Sequence, residues 1–221
     1  NRLTTWIGIA MVLLAIVSVM RGALSVPMAD VVDVLAKSLS GEATAGNRHA
    51  LVILNIRLPR TLLAMLVGAA LALSGAVMQG LFRNPLADPG LVGVSAGAAL
   101  AAGATIVLGD LYLAPLIGKL PFALLPVGAF AGGLASTLLL YAIATREGRT
   151  SIATMLLAGV ALGALAGALS GFLAYLSDDR QLRDLAFWSL GSFGGASWGK
   201  LAVVGPVILP LLVAAPFSRV A

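Results

Sequence analysis

Four clusters of side chains in this sequence could do chemistry. Gly93-Val94-Ser95-Ala96-Gly97 has the G-x-S-x-G spacing of a nucleophile elbow, in which a tight strand-to-helix turn presents a serine to a histidine and an acid. Here the serine opens an apolar stretch and the single histidine, His49, lies in a distant hydrophilic segment. An intramembrane serine hydrolase built on Ser95 is therefore the poorer reading. Gly194-Gly195-Ala196-Ser197-Trp198-Gly199-Lys200-Leu201 nearly fits the phosphate-binding pattern G-x-x-x-x-G-K-[ST]. Leu201 stands where a hydroxyl should hold magnesium, and no strand precedes the loop, so Lys200 is expected to anchor the start of an apolar helix. Arg57-Leu58-Pro59-Arg60 sets two guanidinium forks three residues apart, near one helix face, with Pro59 expected to start the helix. They either snorkel to headgroups or meet a carboxylate partner. Asp178-Asp179-Arg180-Gln181-Leu182-Arg183-Asp184, followed by Phe187-Trp188, reads as a solvated helix entering an interface. Arg180 or Arg183 could instead face a vestibule and attract an anionic substrate.

The elements that must position these groups follow from composition. Of 221 residues, 60% are hydrophobic and 10% charged, against about 25% charged in a soluble domain. So few charges cannot cover a globular surface, and the chain reads as an all-α, polytopic transmembrane helical bundle. Cysteine is absent and histidine occurs once, which excludes disulfides, thiolate metal sites, cysteine nucleophiles and multi-histidine metal clusters. The net charge of +5 is small and scattered; it reads as flanking charge, not as a nucleic-acid footprint. The first residue is Asn1, from which a trimmed start is expected. No small-x-small site follows residues 3–20, so they read as a first span rather than a signal peptide.

Charges are expensive at membrane depth, so charge-free windows mark spans. Six are long enough: 3–20, 61–82, 89–109, 120–145, 150–177 and 201–218. A seventh, 185–199, is short and glycine-rich and is expected to be re-entrant or interfacial. Within the hydrophilic stretch 21–60, Pro27 can start a surface helix in which Met28, Val31, Leu35 and Leu39 share one face. Between the second and third windows, Asn84, Pro85, Asp88 and Pro89 make a turn in which Asp88 is a natural N-cap and Pro89 a natural first helical residue. The third span is expected to start sharply there. Gly159, Gly163, Gly167 and Gly171 recur every fourth residue, each step rotating about 40° to form a slanting stripe. Close helix packing is the favoured role, with a pathway-lining one beside it. The clean windows offer no mid-depth ion relay, so any energy source is expected on another chain. Counting positive charges, with Arg2, Arg83, Arg146, Arg149 and Arg219 on one side, does not decide orientation.

At these residues the chain resembles a known family. Arg57-Leu58-Pro59-Arg60, Leu71-Ala72-Leu73-Ser74-Gly75-Ala76-Val77-Met78-Gln79-Gly80 and Asn84-Pro85-Leu86-Ala87-Asp88-Pro89-Gly90-Leu91-Val92-Gly93-Val94-Ser95 are similar to the FecCD/BtuC-type permeases, membrane subunits of type II ABC importers for iron-siderophores, haem and vitamin B12. Gln181-Leu182-Arg183 and Phe187-Trp188-Ser189-Leu190-Gly191-Ser192-Phe193 extend the likeness, and Phe187 to Trp198 looks most like haem permeases. The resemblance implies a transport subunit rather than an enzyme, in a multi-pass position in the bacterial inner membrane. It implies a homodimer of ten-helix subunits, two cytoplasmic ATPases that carry the ATP and magnesium, and a periplasmic binding protein. The chain itself is expected to bind no cofactor and no metal. The resemblance also implies an inside N-terminus, Arg57 and Arg60 outside where they dock acidic residues of the binding protein, and the Asn84–Pro89 turn inside. It further implies that the fifth helix lines the pathway, with Gly159, Gly163, Gly167 and Gly171 on or beside it. Residues 1–221 then form one permease domain, the N-terminal two-thirds of a subunit, stopping at Phe217-Ser218-Arg219-Val220-Ala221 before the coupling segment. A polypeptide that ended there should not couple to an ATPase. Haem is the expected cargo, with iron-siderophores or corrinoids as alternatives.

Overall fold

The computed structural model describes residues 2–22, 24–41, 47–112 and 124–215. Helices dominate them, because backbone polar groups that cannot reach water must be satisfied within their own segment. In order come α1 (Arg2–Met20), α2 (Met28–Ser40), α3 (Arg48–Val52), a π-turn (Ile53–Arg57) and α4 (Leu58–Phe82). A 3-10 turn (Pro89–Val92) leads into α5 (Val94–Tyr112). After it stand α6 (Leu124–Ala144), a hairpin of β1 (Thr145–Arg146) and β2 (Arg149–Thr150), α7 (Ile152–Leu176), α8 (Asp179–Leu190) and α9 (Trp198–Ala214).

Among the described residues, four helices are long and apolar enough to cross a membrane: Arg2–Met20, Arg48–Phe82, Leu124–Ala144 and Ile152–Leu176. The third and sixth windows hold shorter apolar helices, Val94–Gly109 and Trp198–Ala214. Residues 120–123 and 216–218 of the expected spans, together with Arg219 and the C-terminal end, lie outside the described residues.

Four local expectations change. Pro59 does not start a helix: the helical path begins at Arg48 and runs to Phe82. A proline ring clashes with the carbonyl four residues back and lacks an N–H; here a wide turn absorbs it, with the Leu58 N–H bonded to the Ile53 carbonyl five residues back. The third span does not start at Pro89. Asp88 does cap the turn, its Oδ1 accepting from the Gly90 N–H at 2.7 Å, but the 3-10 turn stops at Gly93, whose φ of 74° glycine adopts without the steric cost a Cβ brings. The α-helix starts one residue later. Segment 185–199 is not one element: its first half completes α8, and Phe193–Ala196 is a tight turn closed by the Ala196 N–H on the Phe193 carbonyl. Finally, α2 buries Val31 and Val34 while Leu39 is 90% exposed, so its inner face is rotated from the expected one.

The described residues group into two compact units, those of 2–73 with 193–215 and those of 74–192. In the first, Val31 and Val34 of α2 pack with Val19, Val26, Ala50 and Ile53. His49 Nδ1 lies 2.6 Å from Asp30 Oδ2, linking α3 to α2. In the second, Leu140 and Ala144 of α6 and Met155 of α7 form a core with Met78, Phe82, Val94 and Leu162 around it. The β1–β2 hairpin pairs Thr145 with Thr150 and Arg146 with Arg149. Its turn residues Glu147 and Gly148 both have positive φ, 51° and 74°, as a two-residue turn matched to strand twist requires.

Candidate functional site

The RLPR segment separates its two arginines. Arg57 is buried, 6% exposed. Its Nη1 donates to the carbonyls of Val19 at 2.8 Å and Met20 at 2.7 Å, and its Nη2 donates to the carbonyl of Leu24. Val19 and Met20 end α1, where helix carbonyls lack internal partners and carry partial negative charge. The guanidinium fork is therefore spent as a cap on another helix, and Gly22 leaves it room: a Cβ there would stand 2.8 Å from Arg57 Nη2. An outward fork at Arg57 does not fit this geometry. Arg60, by contrast, is exposed, with Nη2 3.5 Å from the carbonyl of Gly194. An i, i+3 step turns about 60° short of a full circle, so the two forks share a side of the helix without sharing a neighbour.

The same stretch reaches the tight turn before α9 a second time. Trp198 Nε1 donates to the Leu54 carbonyl at 2.9 Å. Neither Trp198 nor Leu54 stood out in the sequence as a partner, because the pairing is a side chain to a backbone oxygen 144 residues away. Lys200 lies in the first turn of α9, whose N-cap is Ser197, and its Nζ curls to 3.0 Å from a Cβ position at Gly195. No phosphate cradle forms there: the preceding element is a helix and a four-residue turn, not a strand.

The glycine stripe of α7 divides as well. Gly159 is buried and its carbonyl would lie 3.1 Å from a Cβ at Gly93. Added Cβ atoms at Gly163, Gly167 and Gly171 would meet nothing within 4 Å. The buried face of α7 is Met155, Gly159, Ala166 and Leu173; a four-residue step drifts by about 40°, so the stripe leaves that face after its first member. Tight glycine packing sits elsewhere, between α5 and α6. A Cβ at Gly97 would stand 2.8 Å from the Gly132 carbonyl, and one at Gly132 would meet Ala101 Cβ and come within 2.5 Å of the Gly97 carbonyl. A Cβ at Gly128 would likewise stand 2.5 Å from Thr105 Oγ1. The Gly128-x-x-x-Gly132 spacing was the available signal for this contact.

Arg180 and Arg183 are both exposed on α8. Arg180 Nε lies 3.9 Å from Asp184 Oδ2 with its side chain 77% exposed, a pair worth little in water. Asp178 caps α8 in a full capping box with Gln181. Gln181 also donates through Nε2 to the Val107 carbonyl of α5 at 3.2 Å. Asn84 Oδ1 accepts from the Leu86 N–H at 2.9 Å, so Asn84, Pro85, Asp88 and Pro89 form a turn held by its own side chains. Ser95 stands in the first turn of α5, preceded by a 3-10 turn, and the strand that a nucleophile elbow needs is missing.

The model of the FecCD transport family matches residues 10–219. The chain belongs to the FecCD transport family. It is 52% identical over 160 residues to the hemin transport system permease protein HmuU of Yersinia pestis, covering 72% of this chain and 46% of that protein. To the vitamin B12 import system permease protein BtuC of Serratia proteamaculans it is 44% identical over 169 residues, 76% of this chain and 48% of that protein. A solved structure titled as an inward-facing metal-chelate type ABC transporter matches with a TM-score of 0.69 and 30% identity, covering 91% of this chain and 56% of that one. The chain thus spans about half the length of the curated relatives it matches. Both curated relatives are permease proteins by name.

Proposed function

We propose that this FecCD chain is a membrane-spanning part of an ATP-driven importer that moves an iron complex, haem first among them, from a periplasmic binding protein across the bacterial inner membrane. The observation that carries the choice of haem is the 52% identity to a hemin transport permease. The BtuC relatives, at 44% and 50% identity, favour a corrinoid as second reading. ATP and magnesium belong to two partner ATPases, a second copy of the permease completes the assembly, and this chain contributes no cofactor or metal ligand.

Within this reading Arg60 is the docking cation of the pair, supported by its exposure, and Arg57 holds α1 in place from behind. Gly163, Gly167 and Gly171 border the pathway, supported by the open space beyond each, while Gly159 belongs to packing. Arg180 and Arg183 line the approach on the outer side, and the Asn84–Pro89 turn lies on the cytoplasmic side. The test is ATP hydrolysis by the assembled importer with its binding protein, offered haem, a ferric siderophore or cobalamin. Stimulation by haem alone is expected. Stimulation by cobalamin alone moves the assignment to the second reading, and uptake driven by an ion gradient without ATP overturns the importer. Arg60→Glu should weaken binding-protein association about 10-fold, and more at low salt, because an exposed pair is screened over about 10 Å at 0.1 M.

A further inference from the structure

The π-turn leaves one backbone acceptor without a donor from its own helix. In an α-helical turn the Leu54 carbonyl would take the Leu58 N–H, but that N–H bonds Ile53. In a π-turn it would take the N–H of residue 59, and residue 59 is proline, which has none. Both intrahelical donors are thus removed at one oxygen, which lies in a half-buried residue. The Trp198 indole N–H occupies it at 2.9 Å. Indole N–H is a donor only, on a rigid ring, so it suits an acceptor with no other claimant.

From this we infer that Trp198 is a positioning residue that supplies the donor Pro59 lacks, and so fastens the Phe193–Ala196 turn and the start of α9 to the π-turn that aims Arg60. Two contacts join the same pair of segments: Trp198 to Leu54, and Arg60 to the Gly194 carbonyl. The first is the stronger, at 2.9 Å against 3.5 Å, and it fixes the backbone from which Arg60 projects six residues later. The last step, to Arg60, rests on the docking role proposed above; the link between Trp198 and Pro59 does not.

A double-mutant cycle in the full chain tests both parts. Trp198→Phe removes the N–H and keeps an aromatic ring; replacing Trp198 with benzothienyl-alanine keeps the bicyclic shape and serves if the phenylalanine variant fails to fold. Pro59→Ala restores an N–H that frees the helix to satisfy Leu54 in either α or π register. In the Pro59 background, loss of the indole N–H should speed amide hydrogen exchange over residues 53–58 by up to about 10-fold, the effect of losing one hydrogen bond. In the Pro59→Ala background it should change exchange less than about 2-fold. Equal effects in both backgrounds, or none in either, overturn the link. Dissociation of the binding protein should quicken with Trp198→Phe and return in the double variant. If exchange shows the coupling and Arg60→Glu weakens association, yet Trp198→Phe leaves association unchanged, the positioning of Arg60 is wrong. If Arg60→Glu is also without effect, the docking reading fails while the exchange coupling upholds the Trp198–Pro59 link.

Discussion

Replacing Arg57 by alanine separates an inward role from an outward one. The guanidinium makes three hydrogen bonds to carbonyls, two of them at 2.7 and 2.8 Å to the end of α1. A bond with one charged partner contributes about 1.5–3 kcal/mol, and stranded buried acceptors add a desolvation cost. Some of that returns as water reaches the Met20 and Leu24 oxygens, whereas Val19 is only 7% exposed. The net loss is therefore placed at about 3–5 kcal/mol, two to three charge-assisted bonds less the part that water recovers. At roughly 2–4 °C per kcal/mol for a chain of 150–250 residues, the melting temperature should fall by about 6–20 °C. Thermal unfolding in nanodiscs, followed by tryptophan fluorescence, measures it. Arg57→Lys should recover only part, since an ammonium is a point donor and cannot span three acceptors as a fork does. Melting within about 2 °C of wild type, together with a loss of binding-protein association like that of Arg60→Glu, would refute the inward assignment.

Three further outcomes follow from the packing. Gly132→Ala should destabilise the second unit by about 1–3 kcal/mol, because its Cβ would strike Ala101 and the Gly97 carbonyl; denaturation in mixed micelles reads the change. Gly163→Ala, with nothing within 4 Å, should stay within about 1 kcal/mol of wild type in the same assay, and a larger loss would place a neighbour against that face. Asp178→Ala removes the capping box and should cost about 1 kcal/mol, seen as faster amide exchange confined to the first turn of α8.

Much of the fold was readable from the chain because the physical rule behind it is local. A window without charge is a candidate span whatever surrounds it, and each of the six windows contains an apolar helix. Asp88 and Asp178 act at helix ends through donors two or three residues away, a distance the sequence displays directly. The site was read less well. Arg57 and Arg60 are alike in type and close in sequence, yet one caps α1 and the other is exposed. The glycine stripe was equally conspicuous along its length, and only its first member is buried.

By itself, then, the sequence determined that this protein is a multi-pass helical membrane chain, where its helices run and, through its long motifs, which family it joins. These depend on hydropathy and on side chains meeting their own backbone. The tertiary structure alone decided which arginine points inward, which glycines touch a neighbour and why Pro59 is tolerated inside a helix. Each of those turns on a backbone oxygen or an empty space supplied by a distant segment: Val19 for Arg57, Gly97 for Gly132, and Trp198 answering Leu54. Residue spacing along one helix carries no information about what stands opposite it.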